Sequence, residues 1–327
     1  MIFAITRRSF QALITLLILS LLAFTAVYAI GDPILLLIDA QASSLEQEAL
    51  RTRLGLDQPM PVQYLYFLQN LMSGDFGRSF VSGEPALRLI LERLPATLEL
   101  AFVALLIATV VGVPLGMIAG LNAGSRFDRV VSVFSVLGFS VPSFWIGIIL
   151  ILVFSVQLGV LPSFGRGDTA TLFGIASSLW TFDGWRHILL PATNLALFPM
   201  ALLIRLARAG ASEAVRLDFI KFARAKGVTT RRIIFVHLLK YISISLVTIL
   251  GMQLGLLIAF AIVTESVFSW PGTGKLIIDA MNSLDRPVIV AYLLIVGCIF
   301  VIANTVTDLL YIVLDPRIRS GGGNDPR

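Results

Sequence analysis

Charge is the first thing this chain lacks. Only 14% of its residues are Asp, Glu, Lys or Arg, where a soluble domain carries about 25%, so it has too little polar surface to cover itself in water. Cysteine is scarcer still: Cys298 stands alone inside an apolar run, which excludes an intrachain disulfide framework. The two histidines, His187 and His237, lie about 50 residues apart with no further ligand set near either, so each reads as structural and no metal centre is expected. Ionisable groups are nearly absent from the long apolar runs; Glu99, Arg205 and Asp308 sit close to their ends. Ion-coupled carriers need intramembrane charges at their coupling sites, so this scarcity counts against a secondary transporter or self-sufficient ion carrier. No HExxH and no nucleophile–base constellation is present, and the chain does not read as an enzyme.

What is present is hydrophobicity: 57% of residues are apolar and the mean hydropathy is +0.90. Several apolar runs reach about 20 residues, the length a helix needs to cross a bilayer. The expected class is an all-α integral membrane protein with six transmembrane helices. The spans fall near Ser9–Ile30, Thr97–Leu121, Val130–Leu158, His187–Leu206, Tyr241–Val263 and Val288–Val313. The first run is longer than the apolar core of a signal peptide and follows Arg7 and Arg8, so it reads as a retained anchor.

The net charge of +5 fits this topology rather than a nucleic-acid surface. The loops assigned to the cytoplasm hold Arg126 and Arg129, then a dense basic set from Arg205 to Lys240, then Arg317 and Arg319. The short outer loops hold only Arg166, Arg186, Lys275 and Arg286, beside Asp168, Asp183, Glu265, Asp279 and Asp285. That bias places both termini inside. The expected partition is an anchor (1–30), an extracytoplasmic loop with short helices (31–96), a permease-like core (97–313) with a cytoplasmic loop at 210–240, and a cytoplasmic tail (314–327).

The outer loop between spans one and two reads as structured. Ser43 and Glu46 have capping-box spacing ahead of Leu45, Ala49 and Leu50. A second short helix near Val62–Met72 is rich in Leu, Tyr and Phe, a composition that suits a membrane interface; the loop either shapes the outer mouth or packs as a lid. Pro114, Pro142, Pro191 and Pro199 interrupt three spans, where each deletes a backbone hydrogen bond. Gly112, Gly116 and Gly120 form one small-residue ridge, Gly251 and Gly255 another, and both read as internal helix packing.

The most informative segment runs from Ser212 to Lys240. Val215, Phe219, Phe222 and Ala223 recur at helical spacing as one apolar stripe. Gly227 ends the helix, and Thr229 or Thr230 is placed to cap the next. A basic, apolar helix–turn–helix of this kind suits either anionic lipid headgroups or a groove on a partner protein, and periodicity does not separate the two. The residue string does. The segment resembles the coupling loop of ABC importer permeases, and Ala223–Gly227 (ARAKG) with Arg231–His237 (RRIIFVH) resembles the dipeptide/oligopeptide permease family. The resemblance covers essentially the whole chain: Gly31–Pro33 (GDP), Leu54–Pro59 (LGLDQP), Gly74–Ser79 (GDFGRS), Arg93–Leu100 (RLPATLEL), Thr264–Lys275 (TESVFSWPGTGK) and Asp308–Arg319 (DLLYIVLDPRIR) follow in order. The long outer loop is similar to that of the first of the family's two permease subunits. Two places depart from the family's pattern: span five opens on Tyr241–Ser245 with no proline, and Phe222 stands where a small or polar residue is usual.

The resemblance implies a type I ABC importer permease fold in the bacterial inner membrane and a peptide-importing complex. Its other members would be a second homologous permease, two cytoplasmic ATPase subunits, an extracytoplasmic substrate-binding protein and surrounding lipid, with no nucleic acid. It implies no cofactor in this chain, ATP and Mg belonging to the ATPases. Phe219, Phe222, Ala223, Arg224, Lys226 and Gly227 would then couple to the ATPase. Glu265, Trp270, Pro271 and Gly272 would gate the outer mouth or meet the binding protein, with a purely structural turn as the other reading. The Gly-rich run ending in Lys275 is no phosphate loop, because Ser269 stands at its first Gly position and Leu276 follows the Lys. The family spans peptide, nickel-complex, opine, glutathione and oligosaccharide importers, and the sequence does not choose the cargo.

Overall fold

The computed structural model describes residues 2–29, 52, 57–172 and 174–314. The capping-box helix expected after Ser43 and the tail expected at 314–327 lie outside the described residues, save Leu314. Nearly all of what is described is helical: α1 (Ile2–Ala29), α2 (Met60–Met72), α3 (Ala86–Leu121), α4 (Arg126–Ser140), α5 (Ser143–Leu150), α6 (Phe182–Ala214), α7 (Asp218–Ala225), α8 (Leu239–Val267), α9 (Thr273–Asn282) and α10 (Arg286–Leu314). A two-stranded antiparallel hairpin, β1 (Ala170–Leu172) and β2 (Ile175–Ser177), pairs Ala170 with Ser177.

Among the described residues, four segments are long and apolar enough to cross a membrane: Ala86–Leu121, Phe182–Ala214, Ser245–Val267 and Arg286–Thr307. The stretch expected as one span over Val130–Leu158 is instead two helical pieces, Arg126–Ser140 and Ser143–Gln157, meeting at 109°. Pro142 explains the break. It carries no N–H for the preceding turn and forces Val141 out of the helical region, and Val141 is extended at φ −93°, ψ 130°. Beyond α5 the helix widens into i→i+5 turns over Ile151–Gln157. Helices run continuously through Pro114, Pro191 and Pro199. Within α1, Phe10–Thr25 is a shorter apolar stretch.

The chain divides into two compact units, Met1–Leu94 with Lys275–Val301, and Pro95–Gly274 with Ile302–Arg327. In the first, α2 lies against α1. Tyr64 shares a 2.8 Å hydrogen bond with Ser20 and meets the Phe24 ring edge-on at 5.3 Å. Ala23, Val290 and Leu294 form a small core under Leu19, Phe67, Leu71 and Phe76. The Gly74–Ser79 loop is fastened by Asp285, whose carboxylate takes the Ser79 hydroxyl and, at 3.1 Å, the Phe80 N–H.

The second unit is organised around α6, with 61% of its apolar window buried against 33% for Ser245–Val267. Thr181 caps it by accepting the Gly184 N–H at 3.0 Å. The ridge of α3 packs directly on it. A Cβ at Gly112 would sit 3.0 Å from the Met200 carbonyl, one at Gly116 2.8 Å from the Ala207 Cβ, and one at Gly120 2.8 Å from the Ala211 Cβ. Gly251 of α8 meets Thr307 of α10 in the same manner. The ridges therefore serve packing within the chain, where small residues let backbones approach.

Because the Gly116 site is the tighter, Gly116→Ala should destabilise the folded protein by about 1–3 kcal/mol, the usual cost of overpacking, and Gly112→Ala by less. Thermal unfolding of the detergent-purified variants measures this, and equal melting temperatures would contradict the close approach.

Candidate functional site

The segment after α6 starts with a change of helical phase. Leu217 is extended (φ −76°, ψ 148°), so α7 begins afresh at Asp218. Val215 lies before this break and does not share a stripe with Phe219 and Phe222, as the spacing had suggested. The face that α7 buries carries Ile220 and Ala223, packed against Ile233 with Val228 over them. Phe219 and Phe222 are left outward, 41% and 61% exposed, with Arg224 and Lys226 also at the surface. Lys226 Nζ stands 4.5 Å above the Phe222 ring, a cation–π contact, and Phe219 lies 5.9 Å from the Tyr241 ring, whose hydroxyl donates to Glu213 at 3.1 Å.

The helix ends in a complete glycine cap. Gly227 adopts φ +72°, its N–H bonds the Arg224 carbonyl at 2.9 Å, and the Val228 N–H bonds the Ala223 carbonyl at 3.1 Å. This is the Schellman pattern, including its hydrophobic contact. A Cβ at Gly227 would meet nothing within 4 Å, so the glycine is required by backbone conformation and not by space. Thr229 holds the next N-cap position, but its side chain makes no capping bond. The helix then widens over Ile233–Leu238 before running on as α8.

Just before this segment, Arg208 near the end of α6 forms a two-nitrogen ion pair with Asp128 in the first turn of α4, Nη2 lying 2.9 Å from Oδ2. Asp128 also accepts the Gly124 N–H at 2.8 Å, and Ser125 caps α4 through the Asp128 N–H. The α3–α4 turn is thus tied to the helix that leads into α7.

At the opposite ends of these helices, the Thr264–Lys275 loop folds inward. Glu265 and Trp270 are fully buried. Thr97 donates to Glu265 at 2.7 Å and accepts the Thr273 N–H at 2.8 Å, while Trp270 Nε1 donates to the Ala96 carbonyl at 2.9 Å. A Cβ on Gly272 would collide with the Glu265 carboxylate. Of the four residues singled out in this loop, only Pro271 is exposed. Beside it, Glu99 accepts from the Ser178 N–H at 2.9 Å, from the Ser178 hydroxyl and from Arg166, whose guanidinium also reaches the Ala176 carbonyl at 3.0 Å. The hairpin is pinned to α3 by this carboxylate. Neither ion pair is legible from spacing: 67 residues separate one pair and 80 the other. The available signal was complementary charge at the ends of successive spans.

Between these two ends a cavity of about 350 Å³ opens at the α4–α5 break, lined mainly by Phe139, Phe198, Phe260 and leucines, with Ser143, Asn194, Gln253 and Thr264 as polar members. Among the described residues no group of three or more His, Cys, Asp or Glu is placed to hold a metal ion.

Comparison with known proteins matches residues 112–320 to the family described as "Binding-protein-dependent transport system inner membrane component", and residues 1–101 to its N-terminal companion. The chain is 39% identical over 332 residues to the dipeptide transport system permease protein DppB of Escherichia coli K12, covering 96% of this chain and 98% of that one. It is 40% identical over 315 residues to a di/tripeptide permease protein, DppB, of Pseudomonas aeruginosa UCBPP-PA14, covering 92% and 94%. It is 37% identical over 316 residues to the oligopeptide permease protein AppB of Bacillus subtilis 168, covering 96% and 98%. Among solved structures, an inward-facing MetNI methionine ABC transporter superposes with a TM-score of 0.54 at 16% identity, over 69% of this chain and 96% of that one.

Removing Arg166 leaves the Glu99 carboxylate, 5% exposed, without its cation. Arg166→Ala should therefore cost about 3–5 kcal/mol. The Glu99→Gln/Arg166→Ala double variant should lose less than the sum of the singles. Thermal unfolding gives the cycle, and strictly additive losses would show that the pair is not coupled.

Proposed function

The chain belongs to the family of binding-protein-dependent transport system inner membrane components, and on that premise we propose that it is the transmembrane permease subunit of an ABC importer that brings di- or oligopeptides into the cytoplasm. The observation that carries this reading is identity of 37–40% across more than nine-tenths of the chain to peptide permeases. It is a transport subunit and not an enzyme; hydrolysis of ATP, with its Mg, belongs to partner chains. The likeness to the MetNI chain supports the type I importer permease fold.

The four apolar helices, the bent pair and α1 make six spans in this reading. Both termini face the cytoplasm, in agreement with the basic residues at Arg126, Arg129 and Arg205–Lys240. The segment 31–96 stands outside, the core occupies 97–313 and the tail 314–327 returns inside. A second permease completes the pathway, two ATPases dock from the cytoplasm and a binding protein delivers cargo from outside.

The residues divide the work. Phe219, Phe222, Arg224 and Lys226 offer a greasy, cationic face to the ATPase. Ala223 anchors the other side of α7 to Ile233, and Gly227 fixes the angle at which the helix leaves. Closure of the ATPases on nucleotide displaces α7, and the Arg208–Asp128 pair carries that displacement to the α3–α4 turn. Transport requires that nucleotide bind one access state more tightly than the other; without that differential nothing is moved. Outside, Glu265, Trp270 and Gly272 hold the gate loop from within, and Pro271 presents its surface.

The test is reconstitution of the permease pair with its ATPases and binding protein, measuring peptide uptake and ATP turnover together. A branched residue in the left-handed region costs about 1–2 kcal/mol, which lowers the ratio of capped to uncapped α7 about 5- to 30-fold. Gly227→Val should lower the peptide transported per ATP. Gly227→Asn, which tolerates that conformation, should lower it less. Wild-type transport by Gly227→Val would remove α7 from the coupling path, and peptide uptake independent of the ATPases would overturn the importer reading.

A further inference from the structure

The lining of the cavity at the α4–α5 break holds no Asp, Glu, Lys or Arg, but a cation stands at its edge. Arg205 follows Phe198 by seven residues in α6, two turns further along the same face. Its guanidinium carbon is 5.6 Å from the centroid of the Phe139 ring, within cation–π range. Phe139 in turn meets Phe198 edge-on at 4.9 Å, and both rings line the cavity. The three side chains form one row from the cavity wall to an exposed cation.

The direction of Arg205 is unusual for a residue near the cytoplasmic end of its span. Arginine at such a place extends its charged head to water. Helical side chains lean toward their own N-terminus, and here that lean carries the guanidinium back to Phe139 and the cavity. It also stands without an acid. Among the described residues, Arg88, Arg166 and Arg208 pair with carboxylates and Arg205 does not. A ring face attracts the charge without supplying the paired acceptors that a guanidinium fork matches in a carboxylate.

We propose that Arg205 binds the C-terminal carboxylate of the passing peptide, with Phe139 holding it at the rim of the cavity. The inference rests on the peptide-importer reading above and gives that pathway a preference for one end of its cargo. A carboxylate that leaves water for an uncharged cavity needs a compensating cation, and Arg205 is placed to supply it. The ammonium at the other end needs no acid, because the faces of Phe198 and Phe260, 50% and 69% exposed, attract a cation themselves. At about 350 Å³ the space falls in the range of small-molecule sites, about 300–1,000 Å³.

The experiment uses the assembled importer in proteoliposomes and compares uptake of trialanine with trialanine amide, each at a concentration that saturates the binding protein. The amide differs only in lacking the carboxylate. In the wild type it should be carried about tenfold more slowly, the worth of one charge-assisted hydrogen bond. Arg205→Gln should bring the ratio of the two rates near one. Arg205→Lys, which keeps the charge but not the fork, should preserve part of it. Phe139→Leu leaves the arginine and removes its platform, so it should move the ratio in the direction of Arg205→Gln, and it serves if that variant fails to assemble. The ratio does not depend on how much complex each membrane holds. A wild-type ratio of one, or a ratio that the variants leave unchanged because both peptides slow equally, overturns the carboxylate subsite and leaves the importer intact; Arg205 then serves topology or lipid headgroups. A wild-type complex that carries neither peptide on ATP overturns the importer reading, and the subsite with it.

Discussion

Two helix backbones approach to van der Waals contact only where nothing projects between them. In the second unit that condition is met along the face of α3 that carries Gly112, Gly116 and Gly120, and α6 lies directly on it. Lipid offers no hydrophobic driving force between helices, since its tails are as apolar as leucine; packing and hydrogen bonds must supply the association. Close backbone contact maximises the first. It also fixes where α6 stands, and α6 carries Asn194 into the cavity, Arg208 to the α4 cap and the chain onward to α7. Displacing that helix would disturb all three at once.

The ends of the helices are held by a different kind of bond. Asp128 with Arg208, and Glu99 with Arg166, each join an acid on one helix to a base supplied much later in the sequence. Both acids are additionally satisfied by backbone N–H groups. The outer loop from Thr264 to Lys275 adds a neutral version of the same principle: a buried Trp and a buried Glu are satisfied through Ala96 and Thr97 at the opening of the second unit. Packing thus sets the spacing of the helices, and polar clasps set their register at the two ends.

Hydropathy located the long helices well, because about 20 apolar residues in a row have few alternatives. The short α2 was legible from its Leu, Tyr and Phe content, and α7 from Gly227, which ends it. What periodicity missed has definite causes. Pro142 breaks its helix while Pro191 and Pro199 do not, and the difference lies in what surrounds each proline and not in the residue. The α7 stripe was misphased at Val215 because Leu217 resets the helix, which turns Ile220 inward and Phe222 outward. Trp270 and Glu265 stand in a loop and look like contact residues, yet they are buried by Ala96 and Thr97 from more than 160 positions away. Charge pairs at such separations obey no local rule, so no window along the chain reveals them.

The clasp between Asp128 and Arg208 also bears on the order in which the chain can be made. The two residues are 80 positions apart, which at a synthesis rate of about 5–20 residues per second is an interval of about 4–16 s. Until Arg208 has been made, the partners available to Asp128 nearby in sequence are the Gly124 N–H, the Ser132 hydroxyl and the Ser125 cap. The ion pair that ties the finished helices together is therefore a late contact, and the turn it secures must first stand on bonds made within its own few residues.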